Sequence, residues 1–283
     1  MTTTATPRKE RHSLYAPEPF INRIPQWLSV LMLGLLGLSA WQLVVSLELV
    51  ARILLPGPTE TFEEIVVTAQ GIVTGDHVAE ALWITLQEVL WGFLAAAALG
   101  FFLGVLTGET LLGQRAVMPY LVAFNALPKV AFAPVFVAWL GFGVESKIAM
   151  ALFIAFFPVI VDTAAGLATA EKDALVLFRS MGASRWQTLW KLKLPHALPF
   201  IFAGLKSAAV FAVVGAVVGE YLGGGGGLGE LIRLSAQYLN LARVFALIFY
   251  LGLIGLALFT LVGWIERRIV FWHRPEPTEI KGA

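Results

Sequence analysis

Apolar residues fall into blocks of bilayer length separated by short polar breaks. Uninterrupted or nearly uninterrupted runs cover about 27–50, 81–106, 120–140, 147–168, 200–222 and 244–265. Roughly twenty apolar residues in helical form cross a hydrocarbon core. The pattern therefore predicts six membrane-spanning helices in one domain. Between the first two runs, Pro56-Gly57-Pro58 turns the chain. Thr59 then opens a short amphipathic stretch, 59–72, with Glu63 and Glu64 near its start. Gly223 to Gly227 form a flexible loop, followed by a short surface or re-entrant helix over about 228–239. The third run is broken by Pro128 and Pro134 around Lys129. Two prolines remove two backbone donors and force a kink or local unwinding. Such breaks survive in a membrane only where freed carbonyls face protein or a wet cavity. This run is therefore expected to line a path.

Composition agrees with the pattern. Of 283 residues, 58% are hydrophobic and 14% charged, against about 25% charged in soluble domains. An all-α integral membrane protein is expected. The first run follows a polar leader and is longer than a signal-peptide core, so it is expected to be a retained span. The chain contains no cysteine, which excludes disulfides and thiolate chemistry. Its four histidines show no i, i+3 or i+4 pairing, so no metal site is expected.

Charge distribution orients the spans. With the N-terminus inside, the inner segments (1–26, 107–119, 170–199 and 267–283) hold 14 Lys and Arg, and the outer segments hold 4 (Arg52, Lys147, Arg233 and Arg243). Cytoplasmic loops carry the excess of basic residues. Both termini are expected in the cytoplasm: a tail over 1–26, a transmembrane domain over 27–266 and a tail over 267–283.

The longest inner loop, 170–199, has its own pattern. Ala174, Leu175, Phe178 and Met181 form an apolar stripe at helical spacing. Gly182 is placed to end that helix in the left-handed region. Ser184 and Gln187 have capping-box spacing and start a second helix, in which Trp186, Leu189, Trp190 and Lys193 share a face. Pro195 and Pro199 are expected to stop it and begin the fifth span. The pattern allows two readings: a helix pair resting on anionic lipid, or a docking element with aromatic and Arg anchors.

The stretch from Arg179 to Pro195 resembles the EAA signature of the membrane subunits of binding-protein-dependent ABC importers. Gly182 and, thirteen residues later, the Pro of Leu194-Pro195 keep the signature's spacing. The opening departs from it, with Val176-Leu177-Phe178 where Glu-Ala-Ala is usual. The segments 126–136 and 139–143, Val218-Gly-Glu-Tyr-Leu-Gly with the following Gly227-Leu-Gly, and Glu266-Arg-Arg resemble the nitrate/sulfonate/taurine-type branch of these permeases. The resemblance spans roughly 55–272. It implies a type I importer permease in a bacterial inner (plasma) membrane that forms a homodimer around one path for a small solute. It also implies a separate ABC ATPase and a periplasmic or extracellular substrate-binding protein as partners, with lipid around it and no nucleic acid. The ATPase-coupling residues it implies are Arg179, Met181, Gly182, Ala183, Ser184, Trp186, Gln187, Leu194 and Pro195.

The residues alone add two exclusions. No Gly-x-x-x-x-Gly-Lys-Ser/Thr occurs, so if ATP drives transport, as the resemblance implies, another chain must bind it, and no cofactor is expected here. No nucleophile–base–acid set is visible, so the chain is not expected to be an enzyme. A stand-alone secondary transporter or channel is the rival reading. It would want inverted repeats or an intramembrane charge network. Path candidates are Pro128, Lys129, Pro134, Lys206 and Glu220. Ionisable residues inside a membrane are functional candidates by default, though Lys206 is near enough to the inner end to snorkel.

Overall fold

A backbone in hydrocarbon must satisfy its own polar groups, and a helix does so within each segment. The computed structural model describes residues 25–51, 53–110 and 113–272. Residues 1–24, Arg52, 111–112 and 273–283, which include most of the expected cytoplasmic tails and one outer basic residue, lie outside that set. The elements are α1 (Gln26–Ser46), α2 (Pro58–Thr74), α3 (His77–Glu109), α4 (Met118–Asn125), α5 (Ala133–Leu140), α6 (Val144–Ala168), α7 (Lys172–Ser180), α8 (Arg185–Thr188), α9 (Leu194–Gly223), α10 (Leu228–Gln237) and α11 (Leu241–Ile269).

Among the described residues, five helical runs are long and apolar enough to span a membrane. A sixth is the broken pair around Pro128, whose two halves meet at 85°. The proline-broken third span of the sequence is thus a bent one. Lys129–Phe132 forms a short 3₁₀ turn at the bend.

The core lies where α6 packs between α3 and α9. Small residues set the spacing: Ala96, Ala151, Ala155, Ala208, Ala212 and Ala216 are buried together with Val159 and Ile160. Without a hydrophobic drive between helices, close packing of small residues is what holds a membrane bundle. A Cβ on Gly215 would lie 2.5 Å from Ala151 Cα and 2.8 Å from the Met150 carbonyl. A Cβ on Gly100 would meet Val159 Cβ at 2.6 Å, so the Gly100-x-x-x-Gly104 pair packs within the chain. Gly215→Leu is therefore expected to destabilise the bundle by about 1–3 kcal/mol. Gly252, where a Cβ would meet nothing within 4 Å, should tolerate Leu. Thermal unfolding of the purified protein in detergent checks the pair; equal midpoints would contradict this packing account.

α1 stands apart and is mostly exposed. The Trp41 indole donates to the Pro56 carbonyl at 3.1 Å and its ring lies 5.8 Å from Phe245. That pins the end of α1 to the turn before α2.

Two expectations need correction. Pro195 and Pro199 do not stop the second loop helix. α8 runs through a π-helical turn, Leu189–Lys193, directly into α9, giving one helical run over Arg185–Gly223. Pro195 sits in the first turn of α9, and Pro199 lies inside it. Proline crowds the carbonyl four residues back and lacks an N–H; a wider π turn at that point removes the conflict. Lys147, counted as an outer-loop charge, is instead fully buried in the first turn of α6, at 0% exposure.

Candidate functional site

Three regions gather the polar chemistry of the chain. The first is the elbow made by α7, Gly182 and α8. The helix α7 ends in a Schellman motif: the Gly182 N–H donates to the Arg179 carbonyl and the Ala183 N–H to the Phe178 carbonyl, both at 3.0 Å. Gly182 has φ +73°, as its position predicts. Ser184 caps α8: its Oγ accepts from the Gln187 N–H at 3.2 Å, and Gln187 Oε1 accepts from the Ser184 N–H at 2.8 Å. The capping box is complete.

The π turn changes the phase of the face expected to hold Trp186, Leu189, Trp190 and Lys193. Leu189 and Leu194 turn inward onto Leu167, Ala197 and Ile201. The Lys193 ammonium donates to the Glu109 carboxylate at 2.9 Å, tying the elbow to the end of α3. Trp186 and Trp190 are left 69% and 58% exposed. Arg179, Met181, Gly182, Ser184 and Gln187 are also exposed, while Ala183, Leu194 and Pro195 are half-buried. All nine elbow candidates thus lie in one continuous feature at one end of the bundle.

The second region is at the other end, behind the glycine loop. Gly224 to Gly227 all have positive φ, a path that side-chain-bearing residues rarely adopt. The loop delivers the N-terminus of α10 to Glu220, which is fully buried. Glu220 accepts from the Thr85 hydroxyl at 2.5 Å and from the Gly229 N–H at 2.6 Å. Thr85 Oγ1 in turn accepts from the Leu228 N–H at 2.9 Å. A carboxylate at a helix N-terminus satisfies its orphan N–H groups and complements its dipole. Glu88 lies against Glu220, and Lys147 is close enough to act on both. The Lys147 ammonium donates to the carbonyls of Phe142 and Gly143, the turn between α5 and α6. This knot joins α3, α6, α9 and α10.

The third region is the bend at Pro128. Lys129 stands over the Phe157 ring with its ammonium 5.3 Å from the centroid. It lines a cleft of about 550 Å³ that also receives Asn125, Asp162 and Phe211. Pro128 and Pro134 flank the bend itself.

The five path candidates do not form one cluster. Lys129 faces the cleft. Glu220 belongs to the buried knot. The Lys206 ammonium pairs with Glu266 at 2.8 Å, joining α9 to α11. Sequence reasoning passed over Asp162 and misplaced Lys147. A single carboxylate in the apolar run after Pro158 was the available signal for Asp162. Among the described residues, no group of His, Cys, Asp and Glu is placed to hold a metal.

Residues 65–271 match the family model described as binding-protein-dependent transport system inner membrane component. The chain belongs to that family. It is a multi-pass membrane permease subunit of the ABC importer type. Similar proteins include the formylaminopyrimidine transport permease protein ThiX of Halalkalibacterium halodurans, 36% identical over 68% of this chain and 77% of that protein. The putative aliphatic sulfonates transport permease protein SsuC of Bacillus subtilis is 29% identical over 87% of this chain and 88% of its own. The taurine transport system permease protein TauC of Escherichia coli is 28% identical over 83% and 86%. A chain of the inward-facing MetNI methionine ABC transporter superposes with a TM-score of 0.56 at 20% identity, covering 69% of this chain and 96% of that one, which bears on the fold. The permease fold holds the elbow and the glycine-loop knot at opposite ends of the long run from α8 to α9.

Proposed function

We propose that this permease carries a small polar organic or oxyanion solute across a bacterial inner membrane as one half of a homodimer. A separate ATPase docks on the elbow, and a binding protein delivers the solute at the glycine-loop end. The solute class is drawn from relatives whose names specify sulfonates, taurine and a formylaminopyrimidine. The excess of basic residues at the elbow end supports a cytoplasmic elbow and cytoplasmic tails. The absence of a phosphate-binding Gly-x-x-x-x-Gly-Lys motif supports hydrolysis on another chain.

The observation that carries this reading is the continuity of the elbow with α9. Two exposed tryptophans stand on a helical run of 39 residues, Arg185–Gly223, roughly 60 Å long at the helical rise. There is no loop between them and the span to absorb a displacement. Closure of an ATPase pair would move the elbow, and α9 would tilt with it. Lys193–Glu109 and the packing of Leu189 on the cluster of Leu167, Ala197 and Ile201 carry the movement to α3 and α6. The permease would then exchange inward- and outward-facing states, with nucleotide biasing the populations.

The test is ATPase co-purification with the Trp186→Ala/Trp190→Ala double variant. Aromatic anchors at interface centres carry about 2 kcal/mol or more each, so binding should weaken at least about tenfold. The permease's own thermal midpoint should stay within 2 °C or so, since both side chains are exposed. An unchanged ATPase yield would overturn the docking assignment.

A further inference from the structure

The cleft at the bend of the third span carries two opposite charges on separate walls. Lys129 comes from the bend, between α4 and α5, and Asp162 from α6, and both line it together with Asn125. Neither makes an ion pair among the described residues, although other charged residues of the spans do. Lys206 pairs with Glu266, and Lys147 is spent on carbonyls and the Glu220 knot. The Lys129 ammonium rests on the Phe157 ring, a contact that positions a cation while leaving its N–H donors unused. On the Asp162 wall, Pro158 lacks an N–H, so the Ile154 carbonyl has no donor four residues on; both residues line the same cleft. That wall therefore offers a carboxylate and a backbone acceptor. Phe211 and Val214 of α9 give it an apolar floor.

Other clefts lack this chemistry. One of about 640 Å³ between α9 and α11 is lined by aliphatic residues, glycines and a phenylalanine. A groove between α3 and α11 is almost wholly apolar. Those suit lipid chains. Placing a charge in the membrane costs free energy unless it is paired or hydrated. Two charges of opposite sign on facing walls of one cleft are complementary to a solute that brings both partners itself.

We propose that the cleft is a transient solute site that selects zwitterions. An anionic group, such as a carboxylate or sulfonate, is held by Lys129 and Asn125. An ammonium group is held by Asp162 and the Ile154 carbonyl, and a short apolar body lies against Phe157 and Phe211. This rests on the permease reading and names the solute class within it. It also gives the bend its role: α4 and α5 part at Pro128 so that Lys129 can reach the path in place of a helix flank. Since α6 and α9 form the other walls, tilting α9 would open or close the site.

The permease–ATPase complex in lipid nanodiscs, without binding protein, tests this by saturation-transfer NMR at millimolar ligand. The probes are 2-aminoethanesulfonate, ethanesulfonate and ethylamine. On the unaltered protein, the zwitterion should bind about tenfold tighter than either single-charge probe, the worth of one added charge-assisted hydrogen bond. Equal binding of the three probes overturns the proposal, whether or not any variant folds. Asp162→Asn should lower zwitterion binding to the level of ethanesulfonate and leave ethanesulfonate unchanged. Lys129→Met should lower zwitterion binding to the level of ethylamine and abolish that of ethanesulfonate. If Asp162→Asn weakens ethanesulfonate as much as the zwitterion, Asp162 supports the structure and the two-pole site is wrong. Failure of the complex to assemble at all would instead count against the permease–ATPase reading. Assembly with normal ATP turnover and no charge-dependent binding counts against the cleft alone.

Discussion

Glu220→Ala is expected to lower the thermal midpoint of the purified permease by on the order of 10 °C, the largest stability loss of any single change discussed. The carboxylate receives the Thr85 hydroxyl and the Gly229 N–H in a site with no exposure. Alanine leaves the Gly229 N–H without its acceptor, returns the Thr85 hydroxyl to the Ala81 carbonyl, and removes one of the two carboxyl groups beside Lys147, which is also fully buried. Removing one member of a buried charged set costs about 3–5 kcal/mol, because the remainder stays desolvated. The effect should spread along the chain. Without Glu220, the N-terminus of α10 loses one of its two anchors, and the four positive-φ glycines before it are held only by the Leu228 N–H on Thr85 and the Gly226 N–H on Glu230. Glu220→Gln keeps an acceptor for Gly229 and should recover more than half of the lost stability. Measuring unfolding by intrinsic tryptophan fluorescence in detergent, with size-exclusion recovery after heating, decides it. A wild-type midpoint for Glu220→Ala would mean that the knot contributes nothing to the fold.

The contrast between Glu220 and the elbow shows which parts of this molecule a sequence exposes. Spans are legible because bilayer thickness fixes the length of an apolar run, and the bent span because Pro128 and Pro134 remove two backbone donors from the middle of one such run. The elbow is legible because helix ends are decided locally: Ser184 and Gln187 are three residues apart, and Gly182 closes a motif contained within six residues. The knot is different. Thr85 and Glu220 are 135 residues apart, and Leu228 lies 143 from Thr85. No periodicity links them. Lys147 looked like a loop charge because it stands just beyond Gly141-Phe-Gly143, yet α6 starts at Val144 and turns it inward. The prolines after the elbow misled for a related reason. They stop an α-helix, but a π turn was available upstream, and packing of Leu189 and Leu194 against the cluster of Leu167, Ala197 and Ile201 favoured using it.

These two ends also divide labour. The knot fixes α3, α6, α9 and α10 to one another where the glycine loop sits, so that end of α9 has little freedom. Toward the elbow end, α9 is held by two partly exposed ion pairs, Lys193–Glu109 and Lys206–Glu266, and by the small cluster around Leu167. Partly exposed ion pairs contribute about 0–1 kcal/mol. A run stiff along its length, firmly held at one end and lightly at the other, moves as a lever about the firm end. The cleft with Lys129 and Asp162 lies between them, on the walls of α6 and α9.

Gly182→Val should therefore abolish most transport while leaving the membrane bundle as stable as before. The φ of +73° at this position costs a side-chain-bearing residue about 1–2 kcal/mol, and a β-branched one more. No neighbouring atom lies within 4 Å of the Cβ position, so the penalty is conformational and not a clash. Nothing around the elbow is packed tightly enough to enforce the strained geometry. The Schellman bonds from Gly182 and Ala183 would open, and α7 would swing away from α8. The surface proposed to dock the ATPase would then be assembled in a minority of molecules. At 1–2 kcal/mol the assembled fraction falls by about 5- to 30-fold, and transport driven through that surface falls with it. Gly182→Asn separates this cause from loss of a glycine as such, because Asn tolerates the left-handed region; it should retain transport within about twofold. The measurement is ATP turnover stimulated by the loaded binding protein in proteoliposomes, with thermal midpoints of both variants alongside. Wild-type turnover in Gly182→Val would remove the elbow from the coupling path.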